Sequence, residues 1–399
     1  MQIEFELAVE PTAKSETRNI GDLKVTYRTG EFWTSKQRQA NPIHEISYRA
    51  CFKPQLPDYF ILKHTFQGDT VYDPFAGRGT TAIQAALQAR KVIQNDVNPL
   101  SALLTSARLA VPALDEIKKR LENIKINKEL ESDINLEMFF HSETLKEILS
   151  LKEYFIEEKR NNTFDEVDAW ISMVATNRLT GHSTGFFSVY SFPPNQAVSQ
   201  KSQIRINKKR NQIPPYRDTF AIIMKKSKSL QSKLDSVTKT HLRKAYASAR
   251  FFSLPADATP EIESNSVALT ITSPPFLDIV QYSEDNWLRC WFNSLDTQEI
   301  ESNITMAKDP KTWGDYMNRV LVELFRITKT GGHVAFEVGE IRNQSIFLDE
   351  IIAPIAASVG FKVVEVMINS QEFTKTANLW GVSNNMSGTN TNRIVVLQK

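Results

Sequence analysis

The chain has 399 residues, 41% of them hydrophobic and 24% charged, with a formal net charge of +2. That length admits two or three domains, and no run approaches the ~20 apolar residues of a membrane span. The polar start (Gln2, Glu4, Glu6) does not read as a signal peptide. Cys51 and Cys290 give neither a disulfide framework nor a zinc cluster, so a reducing cytoplasm and no metal site are expected.

Residues 1–40 are weakly patterned, with a hairpin expected around Asp22 to Glu31. Phe32 to Arg38 mixes aromatics, hydroxyls and bases, either as an exposed turn or as a contact for a charged ligand. A helix start over His44 to Phe52 is broken by Pro54 and Pro57, and Asp58 to Thr65 reads as helix. Thr70-Val71-Tyr72 then reads as the end of a buried strand, closed by Asp73-Pro74. Gly77 and Gly79 follow, before a strong helix pattern over Thr80 to Ala89. Glycines there allow a tight turn and close approach of a ligand to the backbone, and Thr80 or Thr81 can cap the helix. A strand–glycine loop–helix unit of this kind is a ligand site. It is not the dinucleotide fingerprint, which needs a glycine where Ala82 stands, nor a phosphate loop, because no Gly-Lys-Ser/Thr follows. A second strand, Lys91 to Gln94, runs into Asn95-Asp96, and a carboxylate about twenty residues past the glycines is placed to accept ribose hydroxyls. A surface-turn acid, or a cap for the helix from Asn98-Pro99, is the plainer alternative for Asp96.

Residues 98–160 read as helix without assignable chemistry, and Val167 to Leu179 as a partly buried helix. The loops at 180–196 and 211–217 are rich in aromatics, Asn and Gln. Residues 201–250 carry fourteen Lys or Arg against only Asp218 and Asp235, while the rest of the chain is net acidic. Such an asymmetry is expected of a polyanion-binding module. Arg205, Lys208, Lys209, Arg210 and Arg217 are its candidate contacts. His182 has no second His or Cys at ligand spacing.

Strand grammar resumes at Phe251 to Leu254, and Pro255-Ala256-Asp257-Ala258 follows. The buried strand Val267 to Ile271 leads directly into Thr272-Ser273-Pro274-Pro275-Phe276. Two prolines at a strand exit fix their own φ and bias the preceding residues toward extended geometry, giving a rigid bracket of oxygen acceptors. Helices over Tyr282 to Phe292, Thr312 to Ile327 and Leu348 to Ser358 alternate with strands over His333 to Val338, Phe361 to Met367 and Arg393 to Leu397.

The run Asp73-Pro74-Phe75-Ala76-Gly77-Arg78-Gly79-Thr80-Thr81, together with Ser273-Pro274-Pro275-Phe276, resembles the cofactor loop and catalytic motif of S-adenosylmethionine-dependent DNA amino-methyltransferases. The resemblance covers about 31–100 and 250–399. It implies an α/β fold, a Rossmann-like, seven-stranded, mostly parallel sheet with helices on both faces. It further implies a mainly helical insertion for target recognition. The expected division is 1–112 as the N-terminal and cofactor-binding part, 113–249 as the inserted basic region and 250–399 as the catalytic part. S-adenosylmethionine would be held by Phe52, Lys53, Pro54, Asp73, Phe75, Ala76, Gly77, Gly79, Thr80, Asp96, Asp257 and Ala258. Asp257 would accept the adenine amine.

The implied chemistry holds a planar base amine between Ser273 Oγ and the Pro274 carbonyl, with Phe276 stacked on a base flipped out of the duplex. Positioning and electrostatics would carry catalysis, without a covalent intermediate. Serine before Pro-Pro points to cytosine N4, with adenine N6 the alternative. The insertion falls before Asp257, whereas the familiar place for a recognition region is after the adenine acid. Double-stranded DNA is the expected partner, and a cognate restriction endonuclease a further one, in a bacterial or phage-like cytoplasm. An RNA amino-methyltransferase and a non-catalytic nucleic-acid-binding protein on the same fold are the competing readings.

Overall fold

The computed structural model describes residues 13–33, 40–48, 51–193, 196–275, 282–303, 309–341, 346–370 and 391–399. Its strands are β1 (Lys14–Ile20), β2 (Leu23–Gly30), β3 (Thr70–Asp73), β4 (Lys91–Asn95), β5 (Arg250–Phe252), β6 (Val267–Thr272), β7 (Thr328–Val338), β8 (Glu340–Ile341), β9 (Ile346–Phe347), β10 (Lys362–Ser370) and β11 (Thr391–Gln398). Its helices are α1 (Gln55–His64), α2 (Thr80–Leu87), α3 (Leu100–Ala110), α4 (Leu114–Asn123), α5 (Ser142–Arg160), α6 (Glu166–Arg178), α7 (Gln200–Arg210), α8 (Thr219–Gln231), α9 (Ser236–Ser248), α10 (Tyr282–Asn293), α11 (Thr297–Asn303), α12 (Pro310–Ile327) and α13 (Asp349–Val359).

One large sheet has the order β1-β2-β10-β11-β7-β6-β3-β4-β5, and β8 pairs with β9 separately. From β10 to β5 this is the expected seven-stranded sheet. β7, β6, β3, β4 and β5 pair in parallel, and β11 runs antiparallel between β7 and β10. The N-terminal hairpin extends it to nine strands, because β2 pairs in parallel with β10. Its turn is Gly21-Asp22, so a whole strand precedes the stretch where the sequence pattern places the hairpin.

Alternation along the strands explains why both faces are covered. Val71, Val92, Leu269, Ala335, Met367 and Ile394 pack into one core with α1, α2, α3 and the following helices. Their neighbours Tyr72, Ile93, Val334, Phe336, Val366 and Val395 pack into the other, against α12 and α13. Strands buried on both sides read as continuous apolar runs, which is the pattern of Val267 to Ile271. Helix α12 shows the complementary logic. Asp309 caps its first turn by accepting from the Lys311 and Thr312 amides, Pro310 starts it, and Trp313, Met317, Val320, Leu324 and Ile327 form a stripe at helical spacing on the core.

Two expectations fail locally. No helix forms over His44 to Tyr48. Only a short 3-10 turn, Pro42–His44, is present, capped by the Asn41 side chain. The long helix expected over 98–160 is three helices, because Val111 adopts a left-handed φ of 46° before Pro112. Proline disfavours the helical conformation in the residue before it.

Candidate active site

The parallel strands deliver their C-terminal ends to one edge, and side chains there tie the exits together. Asn95 holds three of them. Its Nδ2 donates to the Pro74 carbonyl at 3.3 Å and to the Leu254 carbonyl at 2.8 Å, and its Oδ1 accepts from the Leu254 amide at 2.9 Å. Asp73 joins β3 to β6: its Oδ1 accepts from Thr272 Oγ1 at 2.7 Å and from the Phe75 amide at 3.1 Å. Burial pushes the Asp73 carboxyl up to about 7, and the Asp96 charge adds to the rise.

Between these exits lies a cleft of about 640 Å³, including its mouth, bordered by Phe52, Phe75, Ala76, Gly77, Thr80, Asp96, Ser273 and Pro275. Tyr48, Cys51, Val97 and Asn98 also line it, though the sequence pattern gives them no role there. Asp96 Oδ2 accepts from the Gly77 amide at 2.7 Å, and Oδ1 from the Asn98 amide at 2.9 Å. One lone-pair site on each oxygen is left for a diol. Burial raises this carboxyl to about 6. Asn98 Nδ2 is buried without a partner among the described residues, so the cleft offers a donor beside that acceptor. The fit is to a nucleoside, with apolar Phe52, Phe75 and Val97 for the ring and Asp96 for the sugar.

Not every expected residue reaches the cleft. Asp73, Lys53, Pro54, Pro274, Asp257 and Ala258 are not among its lining. Asp257 instead accepts from Arg319 Nε at 2.8 Å. Gly79 serves packing: a Cβ there would sit 2.0 Å from Thr105 Oγ1 of α3, at a φ of +74°. Gly77, at φ +52°, is the glycine that faces the cleft. Phe276 and Thr34 to Arg38 lie outside the described residues. The basic candidates Arg205, Lys208, Lys209 and Arg210 are exposed on α7, away from the cleft, and Arg217 is half-buried. Beside them Ile213 and Tyr216 are 86% and 50% exposed.

Sequence reasoning also misses the groups that support Ser273. Glu337 on β7, only 8% exposed, takes a hydrogen bond from Asn392 Nδ2 on β11, and the Ser273 side chain stands near enough to influence its carboxyl. Burial lifts it to about 7, while those two neighbours pull the other way. Trp313 Nε1 on α12 donates to the Pro275 carbonyl at 3.0 Å, fixing the second proline of the bracket. The pairing of Thr272 with Phe336 puts Glu337 opposite Ser273, and no local pattern could show that register.

Residues 6–101 match the family model described as DNA methylase. Over this segment the chain is similar to DNA methylases. The matched stretch holds the glycine loop and Asp96 and ends before Ser273. Two curated methyltransferases are similar to part of this chain. The type II methyltransferase M.MjaII of Methanocaldococcus jannaschii is 31% identical over 138 residues, which is 34% of this chain and 26% of that protein. The orphan methyltransferase M.BamHII of Bacillus amyloliquefaciens is 36% identical over 73 residues, 18% of this chain and 28% of the relative. The chain thus spans about a quarter of the length of the curated relatives it matches. Among solved structures, the rRNA methyltransferase AviRa of Streptomyces viridochromogenes aligns over 92% of this chain and 94% of its own, at 10% identity and a TM-score of 0.36.

Proposed function

We propose that this chain transfers a methyl group from S-adenosylmethionine to the exocyclic amine of a base flipped out of double-stranded DNA, with cytosine N4 the preferred acceptor. The observation that carries the reading is one cleft in which Asp96 and Asn98 face Ser273 and Pro275 across nearly two hundred residues of sequence. S-adenosylmethionine, when bound, supplies a methyl group on an electrophilic sulfonium.

The chain supplies position and charge. Asp96 takes the ribose hydroxyls, and Phe52, Phe75 and Val97 border the nucleoside. With its hydroxyl hydrogen turned toward the neighbouring Glu337 carboxylate, Ser273 keeps oxygen lone pairs to accept one amine hydrogen. Trp313 occupies the Pro275 carbonyl; the Pro274 carbonyl, just behind the cleft's lining, is the acceptor assigned to the other hydrogen. Two acceptors on one amine favour a pyramidal nitrogen with its lone pair aimed at the methyl carbon. As the N–C bond forms and the methyl–sulfur bond breaks, releasing a neutral thioether, the nitrogen becomes cationic and must release a proton. Glu337, lifted to about 7, receives that proton through Ser273.

Serine rather than aspartate before Pro-Pro supports cytosine N4 over adenine N6. The helical excursion 113–249 is assigned to target recognition, with exposed Arg205, Lys208, Lys209 and Arg210 on the backbone and Ile213 and Tyr216 beside them. Asp73 and Gly79 support the cofactor pocket from behind its lining, through Thr272 and Thr105.

The test is methyl transfer from labelled S-adenosylmethionine to duplex DNA, single-stranded DNA and RNA, followed by nucleoside analysis. Label in N4-methyldeoxycytidine from duplex is expected. Label in N6-methyldeoxyadenosine would replace the acceptor, label in RNA alone the substrate. Cofactor binding with no label in any nucleic acid would overturn the enzyme reading.

A further inference from the structure

A second cleft, about 1180 Å³ including its mouth, opens next to the first and shares Tyr48 with it. It lies between the glycine loop, the 40–48 segment, the end of α6 and the middle of α8. Arg78, Arg178 and Lys226 line it, and Arg108 and Arg289 stand behind. Arg178 is half-buried at the end of α6, its guanidinium 4.0 Å from the Phe186 ring and its Nε on the Asn177 carbonyl. Its terminal nitrogens have no partner among the described residues. Burial and the neighbouring Arg289 press its pKa down to about 10, so the cluster repels itself.

The counter-charges nearby are few. Glu45 pairs with Lys226 at 3.0 Å, but its side chain is 59% exposed. Asp285 offsets Arg289 from behind. Arg78 and Arg108 are satisfied by carbonyl oxygens of Ile46, Phe52, Leu104, Ile43 and Arg78, which neutralise no charge. His44, 4% exposed, also lines the cleft, but burial keeps its ring neutral and its Nε2 donates to Gln84 Oε1, so its Nδ1 offers only a lone pair and the charge of the cleft comes from the arginines and Lys226. Like-charged groups gathered around a cavity, with unused donors on Arg178, call for an anion.

We infer that this cleft binds a backbone phosphate of the target strand, next to the flipped nucleotide, with Arg178 and Lys226 as its principal contacts. The inference rests on the methyl-transfer reading and extends it. Arg178 and Lys226 belong to the helical excursion, whereas Arg78 sits between the two glycines of the nucleoside loop. One phosphate would therefore bridge the recognition helices to the catalytic half and set the base over Ser273. Sequence reasoning gives Arg78 no role and places the nucleic-acid contacts on α7, because the cationic count of 201–250 says nothing about which lysine faces a cavity.

The experiment measures binding of a labelled duplex by fluorescence anisotropy over a series of salt concentrations, and S-adenosylmethionine affinity separately by calorimetry. Arg178→Gln and Lys226→Met should each weaken duplex binding about tenfold and flatten the log–log salt slope by about one phosphate contact. Cofactor affinity should stay within about twofold, which also shows that each variant folds. Unchanged duplex affinity and slope in both variants would overturn the pocket alone. A matching loss of cofactor affinity would assign the cleft to the cofactor's carboxylate and overturn it too. No nucleic-acid binding by the unsubstituted chain would overturn this inference and the function together.

Discussion

On the proposed mechanism Ser273 and Glu337 act together, so their substitution should separate chemistry from binding. Replacing Ser273 by Ala removes an oriented acceptor from the amine, so turnover should fall about 10²- to 10³-fold. Cofactor affinity, measured by calorimetry, should change little, because Asp96 and the glycine loop are untouched. Glu337 must be deprotonated to take a proton. With its pKa raised to about 7, turnover should climb with pH through that value and level off above it. Glu337→Gln should remove this limb and lower the plateau, read from a pH–rate profile at saturating substrate. Such a limb surviving in the Gln variant would move the proton acceptor elsewhere, with Asp73, also near 7, the next group to substitute.

Helix α12 and helix α3 act on the site from a distance. Trp313 on α12 holds the Pro275 carbonyl, and the same side chain is 2% exposed in the core. Trp313→Phe keeps much of the apolar volume and deletes the donor. It should cost about 0.5–1.5 kcal/mol for the lost hydrogen bond, and turnover should fall more than cofactor affinity. Gly79 meets α3 through Thr105. Gly79→Ala would place a methyl group against Thr105 in a left-handed backbone, a loss of roughly 2–4 kcal/mol from strain and overpacking. Adding Thr105→Ala should recover the packing share but not the backbone share, as a double-mutant cycle in urea would show. Full recovery would mean that φ contributes nothing.

Across the molecule, buried ionisable groups set opposing pH dependences. Asp73, Asp96 and Glu337 keep their protons to about 7, 6 and 7 in the folded chain and lose them near their ordinary values on unfolding. The native state therefore binds more protons between about pH 4 and 7, and these groups make stability fall as pH rises. His44 and His64, depressed to about 3 by burial, act in the reverse sense, since unfolding lets them charge below their ordinary value. A single substitution isolates one contribution. Asp73→Asn should gain stability relative to the parent as pH rises from about 4 to 7, measured by urea unfolding at several pH values. A constant difference would mean that Asp73 ionises normally in the fold.

The legible parts of the site were those written in contiguous residues. Phe75, Ala76, Gly77, Thr80 and Asp96 fall within one strand–loop–helix–strand unit, and Ser273-Pro274-Pro275 within one strand exit, so local pattern alone could mark them. The doubly wound sheet was legible for a similar reason, since strands buried on both faces are apolar throughout. Glu337, Trp313, Asn95 and the cations around Arg178 were not. Each acts through a partner many residues away, and nothing in their own neighbourhoods distinguishes them from an ordinary strand acid, a core tryptophan or a solvated base. Gly79 was legible as a required glycine for its turn, taken at φ +74°, but its close contact with Thr105 of a later helix was not. Residue type and short-range spacing thus set the chemistry available to this chain. Sheet register and helix packing decided which groups that chemistry meets, because the contacts that orient Ser273 and charge the second cleft exist only once distant segments lie side by side.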